Sequence, residues 1–174
     1  MIEIYPVDSA SVPAGMEALY MESFPAEERR PWTQILHIAD TDPRFAFNII
    51  SYDGVPVGFI TIWNLGCARY VEHFAITPGI RGRGIGHEVI SRVVANPGPP
   101  VVLEVEPASS GDIARRRINF YTRAGLTAHH SFNYIQPPYS DGLPAVALTL
   151  MTSAHLNNLK EVSTLLHKEI YGVK

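Results

Sequence analysis

The sequence contains one cysteine, no long apolar run and no excess of basic residues, and each of these absences excludes a class of protein. Because Cys67 has no second cysteine to pair with, a disulfide framework is excluded and the reducing cytoplasm is the expected compartment. No apolar run approaches the length of a transmembrane helix, and the first residues, MIEIYPVDS, lack the apolar region of a signal peptide. With a net charge of −3 the chain has no broad basic surface, so we expect neither a membrane nor a nucleic acid as its partner.

The composition is typical of one soluble globular domain. The chain has 174 residues, of which 46% are hydrophobic and 18% charged, so it is long enough to bury a sizeable core. It contains no internal repeat and no low-complexity tract. Its histidines show no metal-ligand spacing with the cysteine, and we therefore predict no metal site.

Hydrophobic periodicity predicts one strand, two helices, three strands, a helix, a strand, a helix and two strands, followed by a last helix. This order predicts an α/β (α+β) fold in which helices flank a mixed sheet. The pair Asp53-Gly54 predicts a hairpin turn between two of the strands. The predicted strands are 1–7, 45–52, 55–65, 70–76, 101–106, 127–135 and 145–151, and the helices begin near Ser11, Trp32, Gly86, Asp112 and Ser153.

The C-terminal segment 153–174 lies beyond the predicted main domain, 1–152, and is expected to form an amphipathic helix. We expect this helix to pack on the same domain, and the alternative is a contact in a homodimer. Its apolar side comprises Leu156, Leu159, Val162, Leu166 and Ile170.

The stretch 70–95 combines an apolar strand, a turn rich in glycine and arginine, and a helix. Glycines 82, 84 and 86 leave backbone N–H groups uncovered at the N-terminus of that helix, where unpaired donors and a partial positive charge favour an anion. Arg81 and Arg83 add positive charge beside them. The turn Arg81–Gly86, including Ile85, is therefore predicted to bind a phosphate or pyrophosphate, the alternative being a tight turn without a ligand.

Two common phosphate-binding loops do not match this turn. The dinucleotide-binding pattern G-x-G-x-x-G would need glycine where His87 stands, and the P-loop would need Lys-Ser or Lys-Thr after Gly84. The pattern R-x-x-G-x-G after a strand ending in Ala-Ile instead resembles motif A of the GNAT acyltransferases. That resemblance implies acetyl-CoA as the cofactor, bound through its pyrophosphate.

A second stretch, Arg117–Leu126, is similar to motif B of the same family, and the predicted order of elements is that of a single-domain GNAT fold. The strings FAITPGIRGRGIG, LEVEP, RRRINFYTRAGL and YIQPPY are also similar to a bacterial GNAT subgroup whose acceptors are poorly defined. The resemblance therefore implies an acetyl-CoA-dependent N-acetyltransferase.

The resemblance also implies roles for individual residues. Tyr121 corresponds to the general acid that protonates the departing thiolate of CoA, and Asn119 to a residue that contacts CoA. The backbone N–H of Phe74 is expected to polarise the thioester carbonyl, while the pantetheine pairs with the backbone of Phe74 and Ile76 as an added strand. The pyrophosphate is expected on the N–H groups of residues 81–86.

A general base is needed because a free alkylamine has a pKa of about 10 and is protonated at neutral pH. Strand alternation predicts that Tyr70, Glu72 and Phe74 share one face, which makes Glu72 the first candidate, while His73 points the other way into the core. The alternative for Glu72 is a salt bridge to an arginine. Glu104 is the second candidate, and a water relay could also connect either carboxylate with the amine.

The acceptor pocket is expected between the segment joining the first two helices and the loop of residues 136–144. Its carboxylates and aromatic rings suit a cationic small-molecule amine, and the bulky loop favours a closed pocket. Transfer to a protein N-terminus or lysine, and CoA binding without catalysis, are the alternatives. The predicted acceptor residues are Glu27, Glu28, Trp32, Tyr134 and Tyr139.

Overall fold

The computed structural model of the protein describes residues 1–154, 156 and 158–173. Within this part of the chain, eight strands and five α-helices follow one another in the predicted order, except that the first of the last two predicted strands is divided into two short ones. The strands are β1 (Ile2–Val7), β2 (Phe45–Tyr52), β3 (Val55–Asn64), β4 (Arg69–Ile76), β5 (Val101–Val105), β6 (Thr127–Ala128), β7 (Tyr134–Gln136) and β8 (Val146–Thr152). The helices are α1 (Met16–Ser23), α2 (Trp32–Thr41), α3 (Ile85–Ala95), α4 (Asp112–Arg123) and α5 (Leu159–Glu169).

The strands form one mixed sheet in the order β1-β2-β3-β4-β5-β8-β6, with β7 paired to β8. Only the β4–β5 pair is parallel among these described strands, and the others are antiparallel. The parallel pair follows from α3, because a helix between two strands returns the chain to run in the same direction. The predicted mixed sheet flanked by helices is thereby confirmed.

Helices cover both faces of the sheet, and each face has its own apolar core. One core contains Tyr20 of α1, Ile35 of α2 and Leu166 of α5, while the other contains Val89 of α3 and Ile118 of α4. The buried residues of α3 recur at helical spacing, so one apolar stripe faces the sheet.

The predicted hairpin turn at Asp53-Gly54 is present, with φ of 51° and 79° at the two residues. Positive φ at both central positions matches the right-handed twist of the strands that the turn joins. Two predicted boundaries are wrong. Helix α1 begins at Met16 because residues 9–11 form a separate 3₁₀ turn capped by the side chain of Asp8, and the strand predicted at 127–135 is interrupted between β6 and β7.

Helix α5 begins at Leu159, later than predicted, where the side chain of Asn158 accepts a hydrogen bond from the backbone N–H of Glu161. Positions 155, 157 and 174 of the predicted C-terminal segment lie outside the described residues. Val162, Leu166 and the following Ile170 are buried in the core beside α1 and α2. The domain itself covers this apolar face, and a homodimer stays a prediction.

A register shift between β3 and β4 changes the direction of the side chains on β4. Thr61 pairs with His73, but the next residue of β3 pairs with Val71, so Glu72 is the extra residue of a β-bulge. Phe74 therefore packs against α3 and α4, whereas Glu72 and His73 both contact the other side of the sheet. The prediction that Glu72 shares a face with Phe74, and that His73 points away from Glu72, is wrong because the bulge interrupts the alternation.

Strands β4 and β5 separate toward their C-terminal ends. Their pairing covers Arg69–Val71 with Val101–Leu103, although β4 continues to Ile76 and β5 to Val105. The parallel strands therefore diverge after Val71 and leave a gap in the middle of the sheet.

Candidate active site

A cavity of about 710 Å³ occupies the gap between β4 and β5. One end is lined by the turn before α3 and by α4, and the other end by the end of α1 and the loop between β7 and β8. A single cavity thus connects the glycine-rich turn with the predicted acceptor segments. The predicted site residues that line it are Glu28, Glu72, Phe74, Ile76, Arg81, Gly82, Gly84, Ile85, Gly86, Glu104, Tyr121 and Tyr139.

The bulge at Glu72 aims the backbone of β4 into this gap. The N–H of Arg69 donates across to Pro100, but beyond the bulge the N–H of His73 donates to Thr61 Oγ1 and that of Thr77 to Val57 O, both on the β3 side. Because strand N–H groups alternate in direction, those of Phe74 and Ile76 face away from β3. If the same residues paired with β3 in regular alternation, without the bulge, these N–H groups would point at β3 and be used in the sheet.

The turn before α3 needs glycine at two positions. Gly82 has φ of 82° and Gly84 has φ of 79°, a region that residues with a Cβ rarely adopt. Gly84 is the N-cap of α3, and the first intrahelical bond runs from Glu88 N to Gly84 O over 3.0 Å. The N–H groups between these two residues have no intrahelical acceptor, so they are available to an anion.

Arginine charge surrounds this end of the cavity. Arg81 also lines it and donates from Nε to the carbonyl of Ile76 over 2.8 Å, which ties the turn to the end of β4. Arg116 and Arg123 of α4 line the same cavity. Arg83, predicted to join them, is not among the described lining residues.

Tyr121 lies on the cavity side of α4, next to the ring of Phe120 at a centroid distance of 5.0 Å. Burial raises the pKa of its phenol to about 12, and the nearby Arg117 only partly opposes that rise. The phenol is therefore protonated at neutral pH and is able to donate a proton. Asn119, predicted to contact CoA, is exposed on α4 and does not line the cavity, since the neighbouring Ile118 faces the core.

The carboxylate of Glu72 is enclosed by donors and has no exposed side-chain surface. Its Oε1 accepts from Arg30 Nε over 2.6 Å and from the Tyr139 hydroxyl over 2.9 Å, while Oε2 accepts from Trp63 Nε1 over 2.7 Å. Burial alone would raise the pKa of Glu72, but the charge of Arg30 and these hydrogen bonds hold it below its ordinary value. Glu72 is thus held as an anion by a buried cation, which makes it a poor proton acceptor.

Glu104, by contrast, meets phenols rather than a cation. Its Oε2 accepts from Tyr171 over 2.8 Å and from Tyr70 over 3.0 Å, and its Oε1 accepts from Tyr134. Burial raises the pKa of Glu104 to about 7, although these hydrogen bonds act in the opposite direction. Glu104 therefore gains and loses a proton near neutral pH, as a general base must.

His73 is a buried histidine at the wall of the cavity. Its ring meets those of Tyr20 and Phe24 edge-on at 4.9 and 4.8 Å, and its Nε2 lies 3.0 Å from the carbonyl of Glu28. Burial lowers the pKa of His73, so the ring is neutral at neutral pH. These contacts are those of a packed core histidine, as predicted; His73 lies on the face opposite Phe74, but shares that face with Glu72.

Only some of the predicted acceptor residues line the cavity. Glu28 and Tyr139 line the cavity, and burial raises the pKa of the Glu28 carboxyl, with the nearby Glu106 adding to the effect. Tyr134 reaches the site only indirectly, through its bond to Glu104.

Trp32 and Glu27 do not line the cavity. Trp32 packs in the core against Tyr20 and Phe47, at ring distances of 5.5 and 5.8 Å. Glu27 contributes its carbonyl to the amide of Gln136 over 3.2 Å. Neither residue is among the described residues that line the cavity, so their contact with the acceptor stays a prediction.

Sequence reasoning missed three residues that support the site, namely Arg30, Tyr70 and Tyr171. Arg30 stands in a run of charged residues, and Tyr171 belongs to the predicted amphipathic C-terminal segment, and neither pattern indicates a site residue. Tyr70 was placed on the right face but was given no partner. Their roles depend on contacts between distant parts of the chain, for which the local sequence carries no signal.

Among the residues that the structure describes, no three histidine, cysteine, aspartate or glutamate side chains are arranged to hold a metal ion. Within the same described part of the chain, none of the helices combines the length and the apolar character that crossing a membrane requires.

Comparison with known proteins points to one family. The acetyltransferase (GNAT) family profile matches residues 14–98. A solved GNAT-family protein from Bacteroides thetaiotaomicron is 37% identical to this chain, with 99% of each chain covered and a TM-score of 0.91. No curated protein sequence matches the chain significantly.

Two more distant structures share the fold. A Salmonella typhimurium protein with its cofactor acetyl-CoA is 16% identical, with 90% of this chain and 96% of that chain covered and a TM-score of 0.61. A GNAT acetyltransferase from Elizabethkingia anophelis with acetyl-CoA bound is also 16% identical, with 88% and 98% covered and a TM-score of 0.59. The family profile and the full-length similarity to the Bacteroides protein agree with the two sequence motifs, and the chain therefore belongs to the GNAT family of acetyltransferases and is an acyltransferase.

Proposed function

We propose that the protein transfers the acetyl group of acetyl-CoA to the primary amine of a small cationic molecule, with Tyr121 as general acid and Glu104 as general base. The observation that carries this proposal is that both side chains line one cavity, which also reaches the glycine-rich turn. A proton acceptor, a proton donor and an anion-binding turn thus border the same space.

The residues present fit acetyl-CoA at two places. The free N–H groups at the start of α3, together with Arg81, Arg116 and Arg123, suit its phosphates. The N–H groups of Phe74 and Ile76, turned into the gap by the bulge, suit an extended polar chain lying beside β4. Acetyl-CoA supplies an activated acyl thioester, whose carbonyl is polarised by a backbone N–H such as that of Phe74.

Tyr121 supplies the proton that a departing thiolate needs. Its raised pKa keeps the phenol protonated across the working pH range, and the nearby guanidinium of Arg117 stabilises the phenolate once the proton has left.

Glu104 is a better base than Glu72, which was the first candidate. The carboxylate of Glu72 is paired with Arg30 and bound by two further donors, and its side chain has no exposed surface. Glu104 lines the cavity, is bound by phenols rather than by a cation, and titrates near neutrality. It accepts the proton of the incoming amine either directly or through one water molecule.

Carboxylates dominate the acceptor end of the cavity and favour a cationic acceptor. Glu28, Glu104 and Glu106 all line the cavity, and Arg117, which lines it too, is already paired with Glu106 over 2.7 Å. Tyr139, in the loop between β7 and β8, borders the same end. A pocket that is closed on one side by this loop suits a small amine better than an extended peptide.

A thiol-release assay with acetyl-CoA and a panel of simple amines, aminoglycosides, polyamines and peptides tests this proposal. We expect release with small cationic amines, and a fall of at least about 10²-fold in kcat for both Tyr121→Phe and Glu104→Gln, the scale of losing a general acid or base. Release with peptides alone would replace the small-molecule proposal by protein acetylation. Acetyl-CoA binding without release from any amine would identify a binding module.

A further inference from the structure

We infer that Tyr171, just beyond the end of α5, is a positioning residue that holds the carboxylate of Glu104 toward the acceptor, so that the C-terminal segment is part of the acyl-transfer site. This inference rests on the proposed role of Glu104 as the base. It assigns a function to a helix that follows the last strand of the sheet.

The contact is direct. The Tyr171 hydroxyl lies 2.8 Å from Glu104 Oε2 and 3.1 Å from the Tyr70 hydroxyl, and its ring lies 4.9 Å from that of Tyr139, which lines the cavity. A carboxylate accepts about four hydrogen bonds, and three are taken by tyrosine hydroxyls. One acceptor position therefore stays free on a residue that lines the cavity, and an amine or a water molecule would bind there.

The position of Tyr171 is itself held from two sides. Arg30 donates from one guanidinium nitrogen to the carbonyl of Ile170 over 2.6 Å, while its Nε binds Glu72. The backbone N–H of Tyr171 donates to Leu166 O over 3.3 Å, and the side chain of Leu166 is fully buried. A buried cation therefore links the C-terminus of α5 to β4, next to the gap.

The hydrogen bond from Tyr171 favours the ionised form of Glu104. The other titratable groups that face Glu104 are Tyr70 and Glu72 on β4, Tyr134 on β7 and Tyr139 in the following loop. The phenols stay protonated because burial and the carboxylates raise their pKa values, so they act as donors throughout the working pH range. Glu72, held ionised by Arg30, raises the pKa of Glu104 from the other side.

Tyr171→Phe removes the hydroxyl and keeps the ring. With one donor fewer, the pKa of Glu104 should rise by ~0.5–1 unit, since each hydrogen bond to a carboxylate stabilises its charged form. Carbon-13 NMR of the free protein, labelled at glutamate carboxyls and assigned with Glu104→Gln, measures that shift without any acceptor. In the thiol-release assay, the acidic limb of the kcat/KM profile should move to higher pH by the same amount. On that limb, this shift lowers kcat/KM by about 3- to 10-fold, while the KM for acetyl-CoA stays unchanged.

Tyr139→Phe is the matched control, because it removes a neighbouring hydroxyl whose bond goes to Glu72. It should move the titration of Glu104 less than Tyr171→Phe does. If Tyr171→Phe fails to fold, a difluorotyrosine at position 171, whose phenol is a stronger donor, should shift the pKa of Glu104 downward instead.

An unchanged Glu104 titration in a folded Tyr171 variant would overturn the inference, and so would a shifted titration with an unmoved acidic limb. Absence of thiol release from the wild-type protein with every amine would count against the proposed function instead. The NMR titration would still report whether Tyr171 controls the carboxylate.

Discussion

Replacing Glu104 by glutamine should increase stability at high pH while it abolishes most of the activity. The pKa of Glu104 is about 7 in the folded protein, against an ordinary value of 4.5. The folded state therefore binds an extra proton between these two values, and ionising the buried carboxyl above pH 7 opposes folding. A difference of this size corresponds to about 3 kcal/mol, because each pKa unit is worth about 1.4 kcal/mol.

The sign follows from the direction of the shift. Below pH 4.5 the group is protonated in both states and contributes nothing to the pH dependence, whereas between pH 5 and 8 the wild-type protein should lose about 2–3 kcal/mol of unfolding free energy through this group. Glu104→Gln lacks that titration, so the two stability curves should diverge as the pH rises. Because other titrating groups are common to both proteins, their contributions cancel in the comparison.

Urea unfolding of both proteins at pH 5 and pH 8 measures this divergence, and thiol release measures the accompanying loss of kcat. A glutamine variant with the same pH dependence of stability as the wild type would show that Glu104 has an ordinary pKa. The argument for Glu104 as the base would then lose its physical support, whatever the variant does to turnover.

Three further predictions concern other parts of the site. Tyr121→Phe should lower kcat by about 10²-fold or more, because it removes the proton that the thiolate needs. It should leave the acetyl-CoA Kd unchanged in calorimetry, because it removes little surface. A higher Kd at unchanged kcat would instead make Tyr121 a binding residue. Gly84→Ala should raise the acetyl-CoA Kd about 5-fold, because an alanine relaxes out of φ of 79° in the free turn and binding must restore that conformation at a cost of about 1 kcal/mol. Gly79→Ala should leave the Kd unchanged, because its φ is not positive and a Cβ there meets nothing within 4 Å. Arg30→Met should lower the unfolding free energy by about 3 kcal/mol or more, because it leaves the buried Glu72 carboxylate without its cation. Adding Glu72→Gln to this variant should recover part of the lost stability. Equal stability of the single and the double variant would argue against a coupled pair.

Local sequence was sufficient for the parts of the molecule that depend on near neighbours. The turn at Asp53-Gly54 and the glycine-rich start of α3 were predictable because positive φ selects glycine or a few polar residues wherever it occurs. The order of strands and helices followed from apolar periodicity, since each element must bury one face. Together with two motifs, these features were enough to predict the fold and the family.

The assignment of the base was not predictable in the same way. Glu72 and Glu104 both stand on largely apolar strands, and their neighbours in the sequence do not distinguish them. Arg30 engages the first, and Tyr171 binds the second, across chain separations of 42 and 67 residues. Only folding brings these partners into place, and they decide which carboxylate is fixed as an anion and which one titrates near pH 7.

The direction of the β4 backbone is a further property of the folded chain. Whether Phe74 and Ile76 offer their N–H groups to the gap depends on one unpaired residue at Glu72, and a bulge arises from the register of two strands rather than from the residues of one. Near neighbours therefore specified the anion-binding turn and the family, because a glycine's φ and an apolar face are local properties. The roles of the two carboxylates and the opening between β4 and β5 depended on contacts across the sheet, because charge, burial and register are properties of residues that meet only after folding.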